Sequence, residues 1–263
     1  MNSKLKIPNF SSFDELLASN IGCFEEFFFF NNSDHSKILV FFNGAVSLDQ
    51  RKNGYAFQRW TWASKFRHPV LIISDPATYG DAGLALGWYV GRKDECYLQK
   101  SLNGVMSSVQ KRFQNAKVIS FGSSAGGFAA LSGLHMGFFQ KAIVVNPQTD
   151  IKKYQPKSSV AKFVSSYGGE GYVFDKTDEP RVSLLAMNSK NMSPDAEVVY
   201  IQNRSDNLHY ENHMKPYFEH LKASEVQITL KEFIFDDKEL GHNPPSLDQL
   251  VNISGEELSG LLV

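Results

Sequence analysis

The chain has 263 residues, with 27 Lys and Arg against 28 Asp and Glu, so its formal charge is −1; that balance argues against a broad electrostatic footprint for nucleic acid or an anionic membrane. Hydrophobic residues at 42% and charged residues at 21% describe a globular chain rather than a disordered one, suited to a single domain over 1–263 with its own core. Two cysteines, Cys23 and Cys96, exclude a disulfide-framed secreted mini-scaffold.

Residues 1–10 carry two lysines, then Pro8 and Asn9 where the apolar core of a signal peptide would begin. No stretch approaches the roughly 18 apolar residues of a membrane helix. The expectation is a cytoplasmic protein with no membrane span. Further along, short β-branched or aromatic runs recur at 24–30, 38–42, 70–74, 118–121, 142–145, 198–201 and 226–233. Several are nearly continuous in apolar residues, as strands covered on both faces of a parallel sheet are. Asn31-Asn32-Ser33-Asp34, between the first two, suits an antiparallel start.

Leu98, Leu102, Val105, Val109 and Phe113 recur at three and four and predict one apolar helix face. Residues 125–138, rich in Ala and Gly, predict a helix lying close on the sheet. The segment 150–195 has no clear strand, and at that length it reads as a lid or cap insertion. Beyond the last run, Ser246 and Gln249 form a capping box ahead of Leu247, Leu250, Val251 and Leu258 on one helix face. Alternation of this kind predicts an α/β fold with a doubly wound, mostly parallel sheet.

The sharpest motif is Gly122-Ser123-Ser124-Ala125-Gly126, between the run at 118–121 and the helix at 125–138. A nucleophile on a strand-to-helix turn sits in strained backbone, so small residues two positions either side are needed. Gly122 and Gly126 centre that requirement on Ser124 rather than Ser123. The plain alternative is a tight βα turn. With its flanking strand and helix, the motif resembles the nucleophile elbow of the α/β-hydrolase superfamily, and the order of strands along nearly the whole chain is compatible with that family.

The resemblance implies an acid and a histidine after later strands, in the order Ser, Asp or Glu, His. Asp206 follows the run at 198–201 and His242 follows the last run, so Ser124, Asp206 and His242 fit. His242 would be the base that takes the serine proton, and Asp206 would orient its imidazole. Asp236 and Asp237 compete for the acid role but fall at the end of the last strand, less than ten residues before His242. The resemblance also implies an oxyanion hole from the Ala125 amide and the loop Asn43-Gly44-Ala45, with the Ala45 amide as second donor and Gly44 allowing close approach.

Other residues are candidates for substrate contact: Arg59 and Trp60, in an aromatic and basic stretch with Arg51, Lys52, Tyr55, Phe57 and Trp62, and Asn43 and Asp75 at strand ends. Such side chains suit sugar rings or anionic groups. His209 and His213 are four apart, but no third ligand presents itself, so no metal site is expected. No Walker motif, His-Glu-x-x-His or Cys-x-x-Cys occurs, and no cofactor is expected. Asn146-Pro147-Gln148 is similar to stretches in α/β-hydrolase-type proteins associated with bacterial surface-glycan modification and export. Together these point to a serine esterase or O-acyltransferase acting on a small-molecule or glycan acyl ester. The rival is a non-catalytic binding or assembly module on the same scaffold.

Overall fold

The apolar runs assemble into one mixed eight-stranded sheet in the computed structural model, which describes residues 7–51, 54–79, 83–224 and 227–263. In chain order the strands are β1 (Ile21–Phe24), β2 (Phe27–Phe30), β3 (Lys37–Phe42), β4 (Val70–Ile73), β5 (Gly91–Arg92), β6 (Glu95–Cys96), β7 (Lys117–Ser123), β8 (Lys141–Val145), β9 (Glu197–Asn203) and β10 (Thr229–Phe235). The main sheet runs β1-β2-β4-β3-β7-β8-β9-β10, while β5 and β6 pair only with each other. From β4 to β10 all neighbours are parallel; β1 and β2 are antiparallel additions at one edge.

Three expectations change here. The run at 24–30 is not one strand. The chain reverses at Glu25, whose φ is 47°, so Phe24 pairs with Phe27 in a hairpin. A charged pair cannot continue a strand whose neighbours are buried, and Glu25-Glu26 supplies the turn. Residues 31–34 do not join sheet neighbours either, because β4 lies between β2 and β3. Instead Asn32 donates to the carbonyls of Ala63 (3.0 Å) and His68 (2.8 Å). The last strand occupies Thr229–Phe235 rather than 226–233; Val226 and Lys52 lie outside the described residues.

Strands β3 and β4 are buried throughout most of their length, which is why they read as continuous apolar runs. Ile38, Val40 and Phe42 face one core layer, and Leu39 and Phe41 face the other. The helices are α1 (Phe13–Ala18), α2 (Leu48–Arg51), α3 (Tyr97–Arg112), α4 (Ala125–His135), α5 (Lys157–Gly168), α6 (Glu179–Val182), α7 (Asn207–His209), α8 (Lys215–Ala223), α9 (Leu247–Ser254) and α10 (Glu256–Ser259). Helices α1, α3, α4, α5, α6 and α8 supply the first layer. The opposite layer is built from α9, α10 and the 3₁₀ segment Trp60–Lys65.

The expected face of α3 is buried at all five positions. Helix α9 carries the expected capping box, but it ends at Gly255 (φ 56°), so Leu258 sits on the separate α10. Within 150–195 there are helices and only an isolated bridge, Asp150 to Ser183. Ile151, Phe163, Tyr167, Val182 and Leu184 of that segment are buried in the first core layer.

Candidate active site

Strand β7 delivers Ser124 to the carboxyl end of the sheet in a conformation side chains rarely adopt, φ 55° and ψ −122°. The glycines around it are sterically required. A Cβ on Gly122 would collide with the Gly126 carbonyl, and one on Gly126 would collide with the Phe42 and Asn43 carbonyls that end β3. The close approach of α4 to β3 thus depends on Gly126, and it brings the loop after β3 beside the serine.

Asp206 follows β9 and His242 follows β10; His242 reaches Ser124, and Asp206 reaches His242. His242 Nε2 lies 2.9 Å from Ser124 Oγ, and His242 Nδ1 lies 2.6 Å from Asp206 Oδ2. The loops are held by Asn146 and Asn203. The Asn203 N–H donates to Asn146 Oδ1 at 2.7 Å, while the Asn203 amide donates to the Asp237 and Gly241 carbonyls at 2.6 and 2.8 Å. Asp236 and Asp237 are used elsewhere: Ser205 Oγ donates to Asp236, and Asp237 Oδ1 accepts the Glu239 and Leu240 amides.

Two further side chains join the three, and sequence reasoning gave neither a place here. His209 Nδ1 lies 2.9 Å from Asp206 Oδ1, and Gln148 Nε2 lies 2.7 Å from Ser124 Oγ and 3.0 Å from His209 Nε2. Hydrogens can be assigned throughout. Trp88 Nε1, a donor only, gives its hydrogen to Gln148 Oε1 at 3.0 Å. That fixes the amide, so the Gln148 nitrogen donates to both Ser124 Oγ and the bare Nε2 of a neutral His209. The carboxylate can only accept, so both imidazoles turn Nδ1–H toward Asp206, leaving His242 Nε2 free to accept from Ser124 Oγ. Ser124, His242, Asp206, His209 and Gln148 therefore close a ring of five hydrogen bonds.

Electrostatics agree with that assignment. Burial pushes the Asp206 carboxyl up, but the N–H groups of His209 and His242 together outweigh it and hold the carboxyl well below its usual range. Burial pulls the His209 pKa down, against the opposing hydrogen bond to Asp206. The His209 and His242 rings stack with centroids 3.9 Å apart and planes at 20°. Asp206, His209 and His242 bring one ligand atom each within 4.8 Å of one another. Stacked, nearly parallel imidazoles direct their in-plane lone pairs side by side rather than at one point, so the trio suits hydrogen bonding better than metal ligation. His213 lies beside His209 at 4.9 Å, and its Nδ1 accepts the Thr149 amide at 3.2 Å.

Among the described residues no acceptor takes up the Ala45 or Ala125 amide. The Gly44 amide is already committed to Gln58 Oε1 at 2.8 Å. Ala125 follows the serine at the start of α4, and Ala45 lines the same cleft on the loop after β3, which suits the two amides to a developing oxyanion. An open cleft of about 620 Å³ runs over Ser124 and His242, lined by Gly44, Ala45, Arg59, Trp62, Pro244 and Pro245 among others. That volume is in the range of small-molecule sites. Its lining comes from the loop after β3 and the segment after His242.

The expected substrate contacts divide. Arg59 lines the cleft, whereas Trp60, 38% exposed, sits on its outer side against Phe28. Asn43 is buried, its amide donating to the Ala56 carbonyl (2.6 Å) and Ser74 Oγ (3.2 Å) and its oxygen accepting from the Gln58 amide (2.9 Å). Asp75 is buried as well, and burial raises its pKa to about 6 against three backbone N–H donors. Both residues hold loops in place and face inward from the strand ends.

No family model and no curated protein matches the sequence. Solved structures do match in fold. The capsule O-acetyltransferase of Neisseria meningitidis serogroup A aligns with a TM-score of 0.57 and 16% identity, over 81% of this chain and 84% of that one. An S-formylglutathione hydrolase from Agrobacterium tumefaciens aligns at 0.54 and 15%, over 87% and 90%. The glycosylation-associated Gap123 complex of Streptococcus agalactiae aligns at 0.58 and 14%, over 89% of this chain and 44% of that one. The chain has the α/β-hydrolase fold.

Proposed function

We propose that the protein is a serine-dependent acyl-ester hydrolase or O-acyltransferase that forms an acyl-enzyme on Ser124. The observation carrying this reading is the linked Ser124–His242–Asp206 geometry at a strained serine with two free amides beside it. His242 takes the hydroxyl proton as Oγ attacks the carbonyl carbon of the ester. The carbonyl oxygen becomes an oxyanion between the Ala45 and Ala125 amides. Its collapse breaks the ester C–O bond, and His242 returns the proton to the departing alkoxide. Water, or an acceptor hydroxyl, then gives its proton to His242, attacks the acyl carbon and frees Ser124. Asp206 keeps the imidazole in the required tautomer throughout and stays ionised.

A glycan acceptor is the finer form of this proposal, supported by the likeness to a capsule O-acetyltransferase. The second reading, an assembly module on the same scaffold, has the likeness to the Gap123 complex in its favour. Turnover of a small activated ester separates them. Ser124→Ala should reduce it by several orders of magnitude, about 10⁶-fold in the best-studied triads, with folding unchanged. Retention of more than a tenth of the activity would contradict the assignment.

A further inference from the structure

The cleft over Ser124 holds one residue of fixed charge among its described lining, Arg59. Arg59 is half-buried, and its guanidinium lies over two touching rings, Trp62 at 5.3 Å and Phe121 at 5.5 Å. Nη2 donates to Ser123 Oγ at 2.7 Å, the residue next to the proposed nucleophile. Among the described residues that is its one hydrogen bond, and no carboxylate pairs with it. A guanidinium carries five N–H donors in a planar fork, so most of them are left for something else. Burial lowers its pKa to about 10, so the group is still cationic at neutral pH. A partly desolvated cation with no counter-charge is costly unless an anion joins it.

The backbone that presents this arginine is also costly. Arg59 adopts φ 62° and ψ 13°, the left-handed region that a long side chain gains nothing from by itself. Surrounding contacts hold it there. Four hydrogen bonds staple its loop to the oxyanion loop: Asn43 Nδ2 to Ala56 O, the Gln58 amide to Asn43 Oδ1, the Gly44 amide to Gln58 Oε1, and Gln58 Nε2 to Ala45 O. Arg59 is therefore fixed in register with both Ser123 and the free Ala45 amide. A merely structural arginine would be expected to spend its donors on the protein, as Arg181 does on the carbonyls of Val90, Arg92, Lys93 and Glu95.

We propose that Arg59 is an anion subsite of the cleft, binding the carboxylate or phosphate oxygens of an acidic ester while Ser124 attacks its carbonyl. This rests on the serine-acylation reading, and names the class of substrate: an ester with a negative charge close to the scissile bond. Trp62, Pro244 and Pro245 provide apolar walls for the body of such a molecule.

Three activated esters test it with the full chain: neutral 4-nitrophenyl acetate, 4-acetoxybenzoate and 4-acetoxyphenyl phosphate. For each, kcat/KM is compared between wild type and Arg59→Gln, so that leaving-group differences and any shared loss cancel. The anionic esters should fall about 10- to 100-fold further than the neutral one, the range for hydrogen bonds to a charged group. Arg59→Lys should recover part of the difference. Whichever of the two anionic esters shows it identifies the group bound. In parallel, calorimetry with benzoate and with inorganic phosphate should detect binding to wild type and none to Arg59→Gln, a readout that needs no catalysis. Equal losses on all three esters, or no anion binding by a folded wild type, would overturn the subsite. Anion binding by a protein that turns over no ester would uphold the subsite and sink the serine-acylation reading instead.

Discussion

At the scale of single residues, the ring of hydrogen bonds sets an order of importance. Asp206 stands at its centre, accepting from both His209 and His242. Replacing it with Asn should leave His242 in the wrong tautomer and lower ester turnover by up to about 10⁴-fold. Gln148 touches Ser124 Oγ directly, holding the hydroxyl so that its own hydrogen points at His242. Gln148→Leu removes the amide that serves Ser124 Oγ, His209 Nε2 and Trp88 Nε1 while both imidazoles keep Nδ1–H on Asp206, and should lower kcat about 10-fold while moving KM little. Steady-state kinetics on a small ester would check both; a Gln148→Leu loss as large as that of Asp206→Asn would contradict this ordering. Ser124, Asp206 and His242 were legible because chain order and strand ends locate them. Gln148 was not, because its contacts join it to residues 24 and 61 positions away; for His209 the available signal was its place three residues after Asp206. His209 drew notice only for its spacing from His213. Asn43 and Asp75 mark the reverse error: polar residues at strand ends face either the cleft or the interior, and local sequence does not say which.

Among the elements, 150–195 is the one whose role sequence leaves most open. Ile151, Phe163, Tyr167, Val182 and Leu184 enter the core, while Val173 stays exposed. Phe163 is fully buried, with its ring 5.2 Å from Trp88 and 5.9 Å from Tyr167. Tyr154 of the same segment sits between Trp88 and His209, at 5.4 and 6.3 Å. Trp88 in turn holds Gln148, so this layer supports the ring from behind. Phe163→Ala should destabilise the fold by about 3–5 kcal/mol, read by chemical denaturation. A cost below about 1 kcal/mol would be that of a surface substitution and would show the segment to be loosely attached. The parallel strands, α3, α4 and the α9 cap were legible from period and capping residues. The β1–β2 hairpin was not, since a seven-residue run with five phenylalanines reads as one strand unless its two glutamates are weighed as a turn.

For the molecule as a whole, buried imidazoles couple stability to pH. Burial lowers the His135 pKa to about 4 and, with the neighbouring His209, the His213 pKa to about 3, while His209 is lowered too. All three stay neutral in the folded state, whereas the unfolded chain protonates them near pH 6.5. Stability is therefore complete above that pH and declines as pH falls toward 4 and 3, by a few kcal/mol in sum. Asp206 adds a decline at lower pH, since its depressed carboxyl stabilises the fold only while ionised. Denaturation midpoints taken between pH 7.5 and 4.5 should fall steadily, and His135→Gln should flatten the slope; a level profile would contradict the burial of these groups. No helix among the described residues is long and apolar enough to cross a membrane. The central claim is that this scaffold activates Ser124, and covalent labelling tests it most directly. A fluorophosphonate probe should add once per chain, at the peptide containing Ser124, with no adduct on Ser124→Ala and slower reaction on Asp206→Asn. A folded wild type that stays unlabelled, or a Ser124→Ala variant labelled to the same extent, would contradict the account.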